Sequence, residues 1–106
     1  MICRTWTGWT TTANADAYET LLVSEIGPGI VARKIAGFLE IQVLRRALDH
    51  GEVEFTTLMW FDSLEAIKAF AGADHERAVV PAQAQRLLLR FDTHSRHAKI
   101  RARLLG

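Results

Sequence analysis

The chain has 106 residues, 49% of them hydrophobic and 24% charged, with a formal net charge of +1. That length and mix describe one ordinary domain able to fold without a metal or disulfide staple, and the near-neutral charge excludes the electrostatic footprint of a nucleic-acid or anionic-membrane binder. The lone cysteine, Cys3, excludes an internal disulfide and any cysteine-built metal site, and no apolar run approaches the ~20 residues of a membrane span. The opening Met-Ile-Cys-Arg-Thr-Trp lacks the charged-then-apolar pattern of a signal peptide, so a cytoplasmic protein is expected.

Residues 2–11 are rich in β-branched and aromatic side chains and predict a strand. One face carries Ile2, Arg4, Trp6, Gly8 and Thr10, the other Cys3, Thr5, Thr7 and Trp9; neither is purely polar, so both are expected to be covered. Asn14 is a candidate cap for a helix whose buried positions are Tyr18, Leu21, Leu22 and Ile26. Gly27-Pro28-Gly29 is expected to end it, leaving residues 30–37 as an irregular crossing with about one helical turn. Residues 38–47 and 53–61 alternate and form a hairpin around Leu48-Asp-His-Gly-Glu52, with Gly51 at the positive-φ position. In the first arm Leu39, Ile41 and Val43 share a face; in the second Val53, Phe55, Thr57, Met59 and Phe61 do.

Asp62 followed by Glu65 reads as a capping box, with Leu64, Ile67, Phe70 and Ala71 as the buried stripe and Gly72 as the stop. Asp74 caps a short turn. Pro81 suits a first helical position, with Ala84, Leu87, Leu88 and Phe91 as the next stripe. Residues 92–105 alternate as a final strand with a basic, solvated tail. The order strand, helix, strand, strand, helix, strand is an α+β, ferredoxin-like βαββαβ arrangement with an antiparallel sheet in a single domain, residues 1–106. Its helices cover one sheet face only. Apolar side chains on the other face would cost about 25 cal/mol per Å² if left wet, so a homodimer joined through sheet faces is expected.

The segments Arg4-Thr-Trp-Thr-Gly-Trp9, Val43-Leu-Arg-Arg46, Leu58-Met-Trp-Phe-Asp-Ser-Leu-Glu-Ala-Ile-Lys-Ala-Phe-Ala-Gly72, Glu76-Arg-Ala-Val79 and Arg96-His97 together resemble the dimeric α/β-barrel superfamily, in its antibiotic-biosynthesis-monooxygenase-like (ABM) group. The resemblance covers nearly the whole chain, through motifs that are mostly structural. It implies a dimer and one of several activities: cofactor-free oxygenation of phenols and quinols, haem degradation, isomerase-like chemistry, or none known. The haem-degrading branch uses a first-strand asparagine, a second-helix tryptophan and a later histidine. Here the first strand has no asparagine, Phe70 stands near the tryptophan and Val80 stands in place of the histidine, so haem is the lesser alternative, reachable only through His75 in a different register.

A cofactor-free oxygenase of a planar phenol, quinol or polyketide-like molecule needs an apolar pocket, a base and donors for the anion. His97 and His75 are the candidate bases, against ordinary readings as a hydrogen-bonded structural histidine and a solvent-facing turn residue. His50 is expected to be exposed, and His94 has the opposite strand parity from His97. Trp6, Trp60, Tyr18 and Phe70 are candidate pocket walls, although core or interface packing explains such residues equally. Arg4 is a candidate anion holder or an ion-pair partner of Glu40 or Glu54, while Cys3 fits a small buried residue better than a nucleophile. With no phosphate loop, dinucleotide fingerprint or metal-ligand spacing, no cofactor is expected. The same residues also suit a non-catalytic ligand-binding dimer.

Overall fold

Three ten-residue strands with period-two burial form the centre of the molecule. A computed structural model describes all 106 residues, in the order β1 (Ile2–Thr11), α1 (Thr12–Leu21), a π-helical turn (Leu22–Ile26), α2 (Gly27–Ala32), β2 (Phe38–Ala47), β3 (Glu52–Phe61), α3 (Leu64–Ala71), α4 (Ala82–Leu87), β4 (Leu88–Phe91) and β5 (Arg96–Lys99). The sheet runs β2-β3-β1-β4, with β5 on the same side of β1 as β4. Every pairing is antiparallel. The last strand of the βαββαβ pattern is thus two short pieces on one edge: β4 pairs with Gly8–Thr10, and β5 with Ile2–Thr5.

The register sorts side chains by face, because residues directly opposite in an antiparallel ladder point the same way. Ile2↔Phe61, Arg4↔Met59, Trp6↔Thr57, Gly8↔Phe55 and Thr10↔Val53 lie under the helices; Cys3↔Trp60, Thr5↔Leu58, Thr7↔Thr56 and Trp9↔Glu54 lie on the open face. The helix-covered face carries two separate apolar clusters. One gathers Ala15, Tyr18, Leu21, Leu22, Val53, Phe55 and Ala84, and the other Met59, Phe61, Ala66, Ile67 and Phe70. Between them the sheet places polar Arg4 and Thr57, so apolar packing parts along that seam.

Several local expectations shift. Gly27-Pro28-Gly29 does not end the first helix. Pro28 has no N–H to return to the ladder, and the chain widens into a π-turn whose closing bond runs from the Gly27 N–H to the Leu22 carbonyl, after which α2 continues to Ala32. The cap of α1 is Thr11, not Asn14: the Thr11 hydroxyl accepts from the Asn14 amide at 3.1 Å. The cap of α3 is likewise Ser63, not Asp62, accepting from the Ala66 amide at 3.2 Å, and Gly72 stops that helix at φ 90°. Leu64 is exposed; the buried stripe is Ala66, Ile67 and Phe70.

In β2 an irregularity between Phe38 and Glu40 turns Leu39 outward to 50% exposure and sets Phe38 edge-on to Phe61 at 5.6 Å. Ile41 and Val43 therefore share the covered face with Phe38, not with Leu39. Pro81 caps α4 from outside, and Leu88 and Phe91 belong to β4, not to a longer helix. Residues 101–106 form no strand. The hairpin turn follows expectation, with Gly51 at φ 75° and His50 also left-handed at 63°. No helix is long and apolar enough to cross a membrane.

Candidate functional site

The seam between the two clusters is a cavity of about 60 Å³ beneath α1, the π-turn and the segment leading into α4. Its walls are mostly aliphatic and aromatic, with polar groups only from Arg4, Tyr18, Thr57 and Ser95. An outer groove of about 290 Å³, walled also by Glu25, Arg33 and Gln83, shares Ile26, Ile30, Phe70, Val79 and Pro81 with it, so the two hollows lie against one common wall. Such a mostly apolar hollow with few convergent polar groups is the usual form of a small-molecule site.

Arg4 reaches the cavity because β1 is flanked on both sides and its even-numbered residues face the helices. The side chain is 3% exposed. No carboxylate pairs with it, and neither Glu40 nor Glu54 is its partner: Glu40 is exposed, and Glu54 pairs with Arg46. Instead Arg4 Nη1 donates to the His75 carbonyl and, at 2.8 Å, to His97 Nε2, while Nη2 donates to the Arg77 carbonyl at 3.0 Å. Three bonds leave two of the five guanidinium N–H donors free. Burial alone lowers the Arg4 pKa to about 10, which still leaves it charged at neutral pH. The result is a buried cation held by neutral acceptors, an arrangement that is costly without an anion nearby.

His97 stands opposite Arg4 on β5. To accept from Arg4, its Nε2 must carry the lone pair, which puts the proton on Nδ1 and keeps the ring neutral. Its pKa is lowered, first by burial and then by the charge of Arg4 and the neighbouring His75. The His75 ring lies 5.5 Å from that of His97. Neither imidazole lines the cavity or the outer groove, and no carboxylate lines the cavity. No group of three or more His, Cys, Asp or Glu side chains comes together.

The aromatic candidates divide between the two sheet faces. Trp6 lines the cavity, donates its indole N–H to the Asp92 carbonyl at 2.7 Å, and reaches over Gly8, where any Cβ would come within 2.8 Å of the ring. Phe70 lines the cavity between two cations, with the Arg4 and Arg33 guanidinium carbons 5.5 and 5.3 Å from its ring centre. Tyr18 is fully buried and meets Phe55 edge-on at 4.9 Å. Its hydroxyl lacks any hydrogen-bond partner. Trp60 is not part of this group: it sits on the open face, half-buried, and donates to Gln42 at 3.2 Å. His50 and His94 are exposed. Sequence reading missed Ser95 and the Val79-Val80-Pro81 wall: Ser95 sits in the break between β4 and β5 inside what reads as one strand, and the wall lies in a stretch without periodicity.

No protein-family profile matches the chain, and no curated protein matches it either. Solved structures do. A Bacillus cereus protein provisionally described as an antibiotic biosynthesis monooxygenase superposes with a TM-score of 0.68 at 16% identity, over 99% of this chain and 97% of that one. A dimeric ferredoxin-like protein from an uncultured marine organism gives 0.62 at 12% identity, over 99% and 98%. A monooxygenase from the ActVA-Orf6 gene of Streptomyces coelicolor, in complex with nanaomycin D, gives 0.60 at 18% identity, over 99% and 91%. The fold is therefore α+β and ferredoxin-like, of the kind found in antibiotic-biosynthesis-monooxygenase structures. At these identities the likeness concerns the fold.

Proposed function

We propose that the protein is a small homodimeric monooxygenase that oxidises a planar phenol or quinol without a cofactor, using Arg4 to hold the substrate as its anion. The observation that carries this is the buried Arg4 guanidinium, charged and without a carboxylate, on the wall of an otherwise apolar and aromatic cavity. A guanidinium in a dry site stabilises an adjacent phenolate or enolate far more than one in water, so the proton leaves to solvent at the mouth without a side-chain base. The electron-rich anion then gives an electron pair to O₂, forming a carbon–peroxide bond at a ring CH₂ tautomer. Protonation of the peroxide and loss of the remaining C–H proton break the O–O bond, leaving a carbonyl and releasing water. The sum is CH₂ + O₂ → C=O + H₂O, with no external reductant.

In this scheme Trp6 and Phe70 wall the ring, and His97 orients Arg4 rather than acting as a base. His75 completes the same support through its carbonyl. The names of the structural neighbours and the dimeric one among them support the reading. Oxygen uptake over a panel of phenols and quinols is the test. Turnover with at least one quinol, reduced about a hundredfold in Arg4→Gln, is expected; no uptake with any of them, or uptake indifferent to Arg4→Gln, overturns it. The lack of a histidine or carboxylate on the cavity wall favours one second reading, a binding module without turnover, which saturable binding with no oxygen uptake would establish.

A further inference from the structure

The geometry points to a second anchoring point in the cavity: the Tyr18 hydroxyl donates to a second oxygen of the ligand, making this a site for dioxygenated rings rather than simple phenols. The inference rests on the reading of the cavity as a phenol or quinol site. Tyr18 is 0% exposed, and its hydroxyl is the one buried side-chain oxygen or nitrogen without a partner. A hydroxyl in that position gives up its hydrogen bonds to water and receives nothing in return, so a group that completes it gains a bond that solvent no longer offers.

The ring meets Phe55 edge-on at 4.9 Å and packs in one buried cluster with Ala15, Leu21 and Leu22, and it lines the cavity. Burial raises the Tyr18 pKa, so the group stays a neutral donor. Arg4 lines the same cavity from the sheet while Tyr18 lines it from α1. A ligand held by both needs an anionic oxygen for the guanidinium and a second, acceptor oxygen for the phenol. Hydroxyls and ketones on one ring satisfy this; a ring with a single oxygen leaves Tyr18 unpaired.

Anaerobic calorimetric titration with phenol, catechol, resorcinol and hydroquinone tests it, using wild type, Tyr18→Phe and Arg4→Gln. At least one dihydroxybenzene is expected to bind wild type about tenfold tighter than phenol, the effect of one completed hydrogen bond. Tyr18→Phe should abolish that preference. A preference that survives Tyr18→Phe, or no preference in wild type, overturns the inference. Phenol binding lost in Arg4→Gln keeps the anion-site reading intact even then; binding of no probe removes both. The ligand-free melting temperature is a further check. Tyr18→Phe deletes an unbonded hydroxyl and should leave it unchanged or raised, whereas a clear drop would mean the hydroxyl is already satisfied and the inference fails.

Discussion

Arg4 and His97 form a titrating pair whose state sets the electrostatics of the cavity. His97 protonates with difficulty because burial, the Arg4 charge and His75 all disfavour its cation, in that order. Its folded-state pKa lies below the ordinary 6.5, so the unfolded chain binds the proton more readily. Stability from this group is therefore complete above about pH 6.5 and is lost as pH falls through the depressed value. Denaturant unfolding at pH 7.5 and 5.5 should show that loss, and Arg4→Gln should reduce it while moving the His97 titration upward in NMR. An unchanged His97 titration in Arg4→Gln would show that the bond between them does not form in solution. The partner of Arg4 could not be read from the sequence. Strand parity puts Arg4 and Trp6 on one face, but which acceptors meet Arg4 depends on residues 75, 77 and 97, more than seventy positions away.

At the scale of elements, the strands were legible and the helix boundaries were not. Period-two alternation located β2 and β3, because one covered face leaves an unambiguous stripe, and β-branched and aromatic composition located β1. Helix starts were misjudged by one to three residues: Thr11 and Asn14, like Asp62 and Ser63, are all good caps by composition, and only backbone geometry chooses between them. Ser63→Ala should lower stability by about 1 kcal/mol, with Asp62→Ala costing clearly less in the same chemical denaturation series. Equal losses would return the cap to Asp62. Pro28 misled for a different reason. Proline removes one donor, and a single widened turn accommodates that loss without ending the helix. Leu88 and Phe91 fit a helical stripe as well as a strand, since a short apolar run obeys either period; pairing with Gly8 and Thr10 decides it.

At the scale of the molecule, the open sheet face is the unresolved demand of the fold. Leu58 and Trp60 lie there only half-buried, and exposed apolar area costs about 25 cal/mol per Å². Sedimentation velocity at micromolar protein should show a dimer, and Leu58→Arg should convert it to a monomer with unchanged circular dichroism. A wild-type monomer would remove the dimer from the proposed function. The cavity itself was half legible: Arg4, Trp6, Tyr18 and Phe70 were marked by type and face, whereas Trp60 was drawn in by size alone and belongs to the opposite side.

That division of the indoles has a practical side. Trp6 looks into the cavity, while Trp9, stacked under Arg90 at 4.9 Å, and Trp60 look out from the open face. The three tryptophans are thus two independent fluorophores separated by the thickness of one sheet. Chains keeping only Trp6 would report ligand occupancy, and chains keeping only Trp60 would report subunit association. The two equilibria become separable by colour and intensity without any added label.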